Sequence, residues 1–282
     1  MWEAVLAHEP AIRLSAFLGI FAIMALWETV APRRKGTLSR WARWPGNILI
    51  VFLNTAVLRL LFPVAAVGMA VAAQGEGWGL FNGLAIPVWL AVVLSVIVMD
   101  LAIYLQHVLV HAVPALWRLH RMHHADLDYD VTTGARFHPL EIVFSMLLKL
   151  MVVGAIGAPP VAVLIFEVVL NATAMFNHAN VRIPAAIDRV LRLVVVTPDM
   201  HRVHHSILPA ETNSNFGFSL PWWDRLFGTY RAQPEAGHLG MTIGIEQFRA
   251  PRDQRLDRML IQPLLGGPGD YPINRTGTGD RA

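Results

Sequence analysis

Long apolar segments separated by short polar ones run through the first two thirds of the chain. A helix that crosses a bilayer needs about 20 mostly apolar residues, and several of these segments reach or approach that length. Arg59 and Pro63 interrupt the second segment. The last two segments flank Pro159 and Pro160, and since proline ends one helix and suits the first turn of the next, they predict a helical hairpin. The predicted segments are Ile12–Val30, Asn47–Ala73, Leu84–Gln106, Ile142–Ala158 and Val161–Phe176.

The pattern predicts an all-α fold, a polytopic membrane helical bundle with about four to five spanning or hairpin helices. After Phe176 the chain becomes more polar, and residues 178–232 are predicted to form a helical cap. Arg252–Leu264 has apolar residues at helical spacing, which predicts either an interfacial helix or a helix packed on the cap. The end, Gly266–Ala282, is rich in glycine, proline and aspartate and is predicted to be frayed.

Composition narrows the class further. Hydrophobic residues make up 55% of the chain and charged residues 15%, against about 25% charged in a typical soluble domain. There is no cysteine, so neither a disulfide nor a thiolate metal site is possible. The net charge is only +3 and no nucleic-acid-binding motif is present, so we expect no nucleic acid partner.

The polar loops predict the orientation in the membrane. The loop between the first two segments holds five basic residues, Arg33, Arg34, Lys35, Arg40 and Arg43, and no acidic one. Short basic loops stay in the cytoplasm, so this loop is predicted to be cytoplasmic and the next one external. Following the chain through the remaining segments places all of the clustered histidines at the cytoplasmic face.

Charged residues inside the apolar segments call for partners, because an isolated charge is costly in hydrocarbon. Lys149 and Glu167 lie at similar distances from the proline turn, so the hairpin predicts that they pair. Arg59 and Asp100 are a second predicted pair, between the second and third segments. The alternative for both pairs is that the groups reach water at the membrane surface.

Two copies of one short pattern carry the candidate chemistry. His120-Arg-Met-His123-His124 and His201-Arg-Val-His204-His205 both read HxxHH, and His107 and His111 stand four residues apart just upstream. On a helix, positions i and i+4 share a face and i+3 lies beside them, so each copy is predicted to direct three imidazoles toward one spot. Imidazole is the commonest metal ligand among side chains and suits iron, zinc and copper.

The number of candidate ligands indicates two metals. The three motifs supply eight histidines, and His138 and His178 bring the total to ten, too many for one tetrahedral zinc. For His138 a role in holding a ligand, rather than binding metal, remains open. Asp100 and Tyr104, one or two helical turns before His107, either orient ligand rings by hydrogen bonds or simply pack. His8 and His238 sit in no pattern and are interpreted as ordinary histidines.

Several motifs follow one another in a specific order. They are Asp100-x3-Tyr104-x2-His107-x3-His111, Trp117-Arg118-x-His120-x2-His123-His124, Arg136-x-His138-Pro139-x-Glu141, Asn177-His178-x-Asn180, Thr197-Pro198-x2-His201-x2-His204-His205, Asn213-x-Asn215-Phe216-Gly217 and Trp223-Asp224-x2-Phe227-Gly228-Thr229-Tyr230. On these residues the chain resembles the fatty acid hydroxylase/sterol desaturase superfamily of integral-membrane, histidine-box di-iron enzymes. The resemblance divides the chain into a transmembrane region, 1–94, a catalytic domain, 95–232, and a C-terminal cytoplasmic tail, 233–282.

The resemblance implies oxygen chemistry on a lipid. Such an enzyme is expected to bind two iron ions, to activate O2 and to hydroxylate or desaturate an unactivated C–H bond of a sterol, fatty acyl or related lipid. It also makes Glu141, with Asp100 and Tyr104, a candidate for supporting the metal ligands. No electron-carrier module is fused to the motifs, so the reductant is expected to come from an external donor.

Three other interpretations stay open at this point. Thr197-Pro198-x2-His201 also resembles the alkylglycerol monooxygenase branch, which cleaves ether lipids with a pterin. A zinc-dependent membrane hydrolase is a second alternative, although HExxH is absent and zinc also suits the site as a substitute for iron. The third is a metal transporter or a haem-binding membrane protein, which would favour ligands at mid-membrane depth or only one histidine pair.

Overall fold

The computed structural model describes residues 2–274, and within them the fold is all-helical, with two isolated β-bridges and no β-strand. Short 3-10 turns lie at Leu80–Asn82, Thr133–Ala135, Pro251–Gln254 and Gln262–Leu264. The α-helices are α1 Trp2–Ala7, α2 Glu9–Val30, α3 Arg40–Leu61, α4 Ala66–Glu76, α5 Val88–Ala112, α6 Pro114–His124, α7 Pro139–Ile156, α8 Pro160–Asn177, α9 Ala185–Leu191, α10 Pro198–His204, α11 Pro209–Thr212, α12 Trp222–Leu226, α13 Gly237–Gly240 and α14 Leu256–Ile261.

Five helical segments of the described chain are long and apolar enough to cross a membrane, which confirms the predicted polytopic bundle. Their outer faces carry large exposed apolar side chains, such as Leu18 and Leu26 on α2 and Leu60 on α3. Such a belt suits contact with lipid tails and not with water. The segments are Glu9–Val30, Arg40–Asn82, Val88–Ala112, Pro139–Ile156 and Pro160–Asn177.

The second crossing is broken, whereas the sequence predicted one helix over Asn47–Ala73. Helix α3 ends at Leu61, and α4 begins at Ala66 after a stretch that contains Pro63, which cannot donate a helical hydrogen bond. Asn54 on α3 donates to the Phe137 carbonyl at the start of α7, and Gly79 beyond α4 lies against Gly157 at the far end of α7. Helices α3 and α4 therefore form one interrupted crossing alongside α7.

The predicted hairpin is formed by α7 and α8, and its turn contains Gly157 in the left-handed conformation, at φ 63°. Lys149 Nζ donates to Glu167 Oε1 at 2.6 Å, which confirms that pair, and Arg13 of α2 binds the same carboxylate. The Arg59–Asp100 pair was wrong. Arg59 is on an exposed face of α3, and Asp100 instead accepts a hydrogen bond from Trp223 at 2.8 Å.

Helix α8 is the central helix of the bundle, and it packs against α2, α4 and α5. The core of buried apolar residues includes Met99, Val153 and Phe166 from α5, α7 and α8. The end of α8, the end of α5 and the starts of α3 and α7 meet at one end of the bundle. Helices α6 and α9–α14 form the cap over that end.

The C-terminal part of the described chain packs closely on the cap. Met259 of α14 is buried against Ile50 of α3 and Met122 of α6, so packing, the second of the two predicted alternatives, is the observed one. The expectation of a frayed end was wrong for residues 266–274, because Tyr271 is buried and stacks on Trp117 with ring centroids 5.4 Å apart. Residues 275–282, which that expectation also covered, lie outside the described residues.

Candidate metal centre

Nine of the ten candidate histidines converge at the capped end of the bundle, and all nine are buried. Within each of two groups, one ring nitrogen per residue lies within 4.8 Å of the others. The groups hold five and four histidines. We call them the five-histidine group, His107, His111, His120, His124 and His204, and the four-histidine group, His123, His178, His201 and His205.

Each HxxHH copy is divided between the two groups, whereas the sequence predicted that it would point at one spot. In an α-helix successive residues are rotated by about 100°, so positions i and i+4 differ by about 40° while i+3 lies about 60° to the other side. His120 and His124 accordingly join the five-histidine group and His123 the four-histidine group. The second copy does the reverse, sending His204 to the five-histidine group.

Four helices position these rings. His107 and His111 lie one turn apart near the end of α5, and α6, which carries the first HxxHH copy, follows almost immediately at Pro114. His178 is the residue that ends α8. The second copy lies on α10, where the Thr197 side chain accepts a hydrogen bond from the Met200 N–H and so caps the first turn.

Partners outside the groups fix the ring tautomers. The Nδ1 atoms of His107 and His204 donate to the carbonyl oxygens of Phe216 and Ser214, at 2.7 and 2.8 Å. His178 donates in the same way to the Ala174 carbonyl, at 2.8 Å. Because a carbonyl oxygen only accepts, each of these rings keeps its hydrogen on Nδ1 and presents a lone pair at Nε2.

The inward nitrogens lack hydrogen-bond donors, which is the condition that a metal would satisfy. His107 and His120 Nε2 atoms are 3.2 Å apart, although both Nδ1 atoms are engaged elsewhere with acceptors. Two facing lone pairs do not bond to each other, and nitrogens bound side by side to one ion would be about 3 Å apart. His204 Nε2 and both ring nitrogens of His205 are buried without a partner. The residues present therefore fit a pair of cations.

Burial also favours the neutral form of several of these imidazoles, the six whose pKa is described next, and the neutral ring is the form that binds metal. The pKa of His178 is lowered to about 3, chiefly because burial disfavours the charged ring. Burial likewise lowers the pKa of His123 and His124 well below the usual value, with further lowering by neighbouring histidines. The same holds for the second HxxHH copy, His201, His204 and His205.

Glu141 and His138 take different positions at the start of α7. The Glu141 carboxylate accepts a hydrogen bond from His120 Nδ1 at 2.6 Å, so it holds a ring of the five-histidine group. His138 lies outside both groups. Its Nδ1 accepts from the Leu140 N–H at 3.2 Å, and its Nε2 faces the Leu260 carbonyl at 3.2 Å, so it caps α7 and connects it to α14.

Asp100 and Tyr104 act on a loop of the cap and make no hydrogen bond to a histidine. Asp100 accepts from Trp223, and the Tyr104 hydroxyl lies 2.9 Å from Thr229 Oγ1. The Tyr104 ring packs against Phe216, whose carbonyl holds His107. Of the two alternatives for these residues, direct bonding to the ligand rings is therefore not observed.

Two arginines anchor the HxxHH copies: Arg33 lies in the loop between α2 and α3, and Arg43 lies in the first turn of α3. Arg43 binds Asp126, two residues after His124, through Nε and Nη2, and it also binds Asp130 at 2.7 Å. Arg33 Nε lies 3.0 Å from both oxygens of Asp199, at the start of α10. The basic residues that predicted the membrane orientation, in this loop and at the start of α3, thus also hold the histidine-bearing helices.

Sequence reasoning assigned no role to the residues around His111. Asn213 Oδ1 accepts from His111 Nδ1 at 3.2 Å, and Asn213 Nδ2 donates to the Tyr271 carbonyl at 2.7 Å. Trp117 packs on the His111 ring with centroids 4.8 Å apart. Asn213 and Trp117 both lie in the sequence motifs that carry the family resemblance, so their position in those motifs could have indicated a role at the site. Tyr271 lies outside those motifs and gave no signal.

A comparison with protein families places this site in a known group. Residues 92–229 match the family model described as fatty acid hydroxylase, and they contain both histidine groups. No solved structure gives a significant match to the chain.

Curated proteins extend the similarity toward both ends of the chain. An ornithine lipid hydroxylase of Rhizobium tropici is 29% identical over 266 residues, covering 89% of this chain and 77% of that protein. An alkylglycerol monooxygenase of Xenopus tropicalis is 29% identical over 74% of this chain but only 47% of its own length. A cholesterol 25-hydroxylase of Rattus norvegicus is 25% identical over 52% of this chain and 49% of its own length.

Proposed function

Because the chain belongs to the fatty acid hydroxylase family, we propose that it is a multi-pass membrane oxidoreductase that uses O2 and an external reductant to hydroxylate or desaturate a lipid. The observation that carries the proposal is the convergence of nine buried histidines in two groups at one end of the membrane bundle. A single zinc site would leave most of these rings without a ligand role.

Two iron ions are the proposed cofactors, one held by the five-histidine group and one by the four-histidine group. Imidazole ligands suit iron, and uncharged ligands leave the bound pair strongly cationic. When bound, the irons supply the activation of O2 that no side chain provides. Glu141 holds His120, and the Phe216 and Ser214 carbonyls hold His107 and His204, so the chain sets the direction of the ligand rings.

Aromatic rings around the histidines keep water from the reacting atoms. Phe137 stacks on His123 with centroids 4.5 Å apart, and Phe218 packs near His107 and His201 at 5.8 and 6.0 Å. Phe137 and Phe218 also contact the apolar core between the spans. The proposed substrate chain therefore meets the histidines from the membrane side, in an environment that excludes water and side reactions.

The site is proposed to face the cytoplasm. Arg33 in the basic loop and Arg43 in the first turn of α3 anchor the histidine-bearing helices, and short basic stretches between spans remain on the cytoplasmic side. The chain has no cysteine, so a Lys35→Cys variant can be labelled at one exposed position of this loop. If a membrane-impermeant maleimide labels this variant in right-side-out vesicles without permeabilisation, the loop is external and the proposed orientation is wrong.

Ornithine-containing and related membrane lipids are the first substrates to test, because the ornithine lipid hydroxylase aligns with nearly the whole chain. Ether-lipid cleavage is the second candidate, favoured by the alignment with alkylglycerol monooxygenase over 74% of this chain. The products distinguish the two: hydroxylation leaves the lipid intact with one added oxygen, whereas ether cleavage releases an aldehyde.

The decisive experiment joins metal analysis of anaerobically purified protein to a lipid assay that depends on O2 and reductant. We expect two irons per chain and an oxygenated or desaturated lipid only when both O2 and reductant are present. One zinc per chain with turnover that ignores O2 would overturn the proposal in favour of a hydrolase. Mass spectrometry of lipids from cells with and without the protein identifies the substrate.

A further inference from the structure

Two segments of the cap expose large apolar side chains that the proposed chemistry does not use. Leu226 is 69% exposed and Val190 is 63% exposed, and the other four apolar residues of the two segments are 44–57% exposed. We call this surface the cap apolar face, and define it by Val190, Leu193, Val194, Trp222, Leu226 and Phe227.

Two side-chain bonds join the segments into one surface. Trp222 Nε1 donates to the Leu193 carbonyl at 2.7 Å, and Arg225 Nη2 donates to the Arg192 carbonyl at 2.9 Å. The apolar residues therefore form a single patch of the kind that marks an interaction surface.

The depth of this patch identifies what it meets. Two groups within two residues of Trp222 donate to the carboxylate of Asp100 on α5. They are Trp223 Nε1, at 2.8 Å, and the Leu220 N–H, at 3.3 Å. Asp100 precedes His107 by seven residues of one helix, about two turns or 10 Å toward the middle of the span. This part of the cap therefore lies beside the spans, on the membrane side of the histidines.

A second pair of contacts gives the same depth. Phe227 stacks on Tyr104, with ring centroids 5.5 Å apart, one turn before His107. Ser219 Oγ lies 3.0 Å from Thr173 Oγ1 of α8, one turn before that helix ends at Asn177. The cap apolar face is thus continuous with the lipid-facing sides of the spans.

The charges around the patch select the kind of lipid. Arg189 and Arg225 are exposed at its border, directly beside Val190 and Leu226 in sequence. The acidic residues of the same segments are not at the surface. Asp188 is buried and bonded to Arg192, and Asp224 is buried and accepts hydrogen bonds from the N–H groups of Phe216 and Gly217. The border is therefore positive, which matches anionic headgroups.

We propose that the cap apolar face is inserted into the interfacial layer of the leaflet that faces the metal centre, with its bordering arginines bound to anionic lipid headgroups. The inference rests on the membrane position of the chain and not on the metal chemistry, so it can fail while the proposed function holds, and the reverse.

The absence of natural cysteine makes a direct test available. Single-cysteine variants Leu226→Cys and Val190→Cys carry spin labels in nanodiscs that contain phosphatidylglycerol. Collision with O2, which concentrates in lipid, is compared with collision with a water-soluble nickel chelate. Leu18→Cys on the lipid-facing side of α2 is the membrane reference, and Glu235→Cys on an exposed part of the cap is the aqueous reference.

We expect both cap labels to have a ratio of O2 to nickel collisions several-fold above that of Glu235→Cys and below that of Leu18→Cys, because the interfacial layer is shallower than the middle of α2. Labels that match the aqueous reference would overturn the insertion. Labels shielded from both reagents, with dipolar coupling between copies, would overturn it in favour of a second copy of the chain on this face.

The headgroup assignment has its own test. The Val190→Cys label should lie deeper in nanodiscs with phosphatidylglycerol than in those with phosphatidylcholine alone. Adding Arg189→Gln should reduce that difference, while the Leu18→Cys label stays unchanged. A depth that is the same in both lipids would overturn the role of anionic headgroups.

Discussion

The two HxxHH copies share one pattern but have different surroundings. The first lies on α6, an eleven-residue helix, and its His120 is held by the Glu141 carboxylate. The second lies on α10, a seven-residue helix, and its His204 is held by the neutral carbonyl of Ser214. The same spacing thus produces one ring with an anionic partner and one with a neutral partner.

The two copies also exchange roles. The first gives two rings to the five-histidine group and one to the four-histidine group, and the second gives one and two. Since both copies contribute to both groups, neither group can form unless the fold brings the rings of α6 and α10 together. The repeated pattern thus fixes directions around a helix axis, while the placement of the two helices in the fold decides which rings meet.

The largest expected effect comes from removing, in each copy, the one ring that belongs to a different group from the other two. His123→Ala leaves three histidines in the four-histidine group, and His204→Ala leaves four in the five-histidine group. Even the loss of a hydrogen-bond partner behind a ligand costs about 10–100-fold in affinity or activity. We therefore expect each variant to lose more than about 100-fold in turnover, with metal content falling toward one ion per chain.

His8→Ala is the matched control, because His8 is exposed and belongs to neither group. It should retain both metals and full turnover. Full metal content in His123→Ala or His204→Ala would contradict the division of the two copies between the groups.

The arginine ion pairs that hold the two copies differ in solvent exposure, so their substitution should affect stability to different extents. Arg43 is 2% exposed and bonds Asp126 and Asp130, so Arg43→Met leaves buried carboxylates unpaired and should destabilise by about 3–5 kcal/mol. The Arg33–Asp199 pair is partly exposed, so Arg33→Met should have a clearly smaller effect. Thermal unfolding in detergent measures both, and equal shifts of the midpoint would contradict this ranking.

The anionic partner of the first copy can be tested by itself. Glu141→Ala removes the acceptor of the His120 N–H and should weaken metal binding by about 10–100-fold, measured by competition with a chelator. Glu141→Gln keeps an acceptor oxygen without the charge and should fall between Glu141→Ala and the native chain. If the two variants bind metal equally weakly, the charge is what matters, and if both bind as the native chain does, Glu141 does not support the ring.

Acidification tests a property that the copies share. Burial lowers the pKa of His178 to about 3, and it also lowers those of His124 and His204 well below the usual value of about 6.5. Below pH 6.5 the unfolded chain therefore binds protons that the folded chain does not. Stability is then present above about pH 6.5 and is lost as the pH falls toward the folded-state values. Metal retention and the unfolding midpoint should decline together between pH 6.5 and 5, and a flat profile would contradict neutral, buried rings.

The sequence by itself determined the features that depend on local periodicity. Apolar length predicted the five membrane segments, the prolines predicted the α7–α8 hairpin, and similar distances from its turn predicted the Lys149–Glu167 pair. The spacing of the histidines placed them on helix faces, and their number indicated two groups. These features depend on residues that lie near one another along the sequence, which is why they could be predicted without a structure.

Only the tertiary structure decided which neighbours each side chain meets. It divided each HxxHH copy between two groups, left His138 as a helix cap, gave Asp100 to Trp223 instead of Arg59, and brought Tyr271 behind Asn213 and His111. Periodicity sets the angle of a side chain about its own helix, but not the position of the next helix. That position depends on contacts between residues that are from about fifty to more than a hundred positions apart, and those are settled only when the whole bundle and its cap pack together.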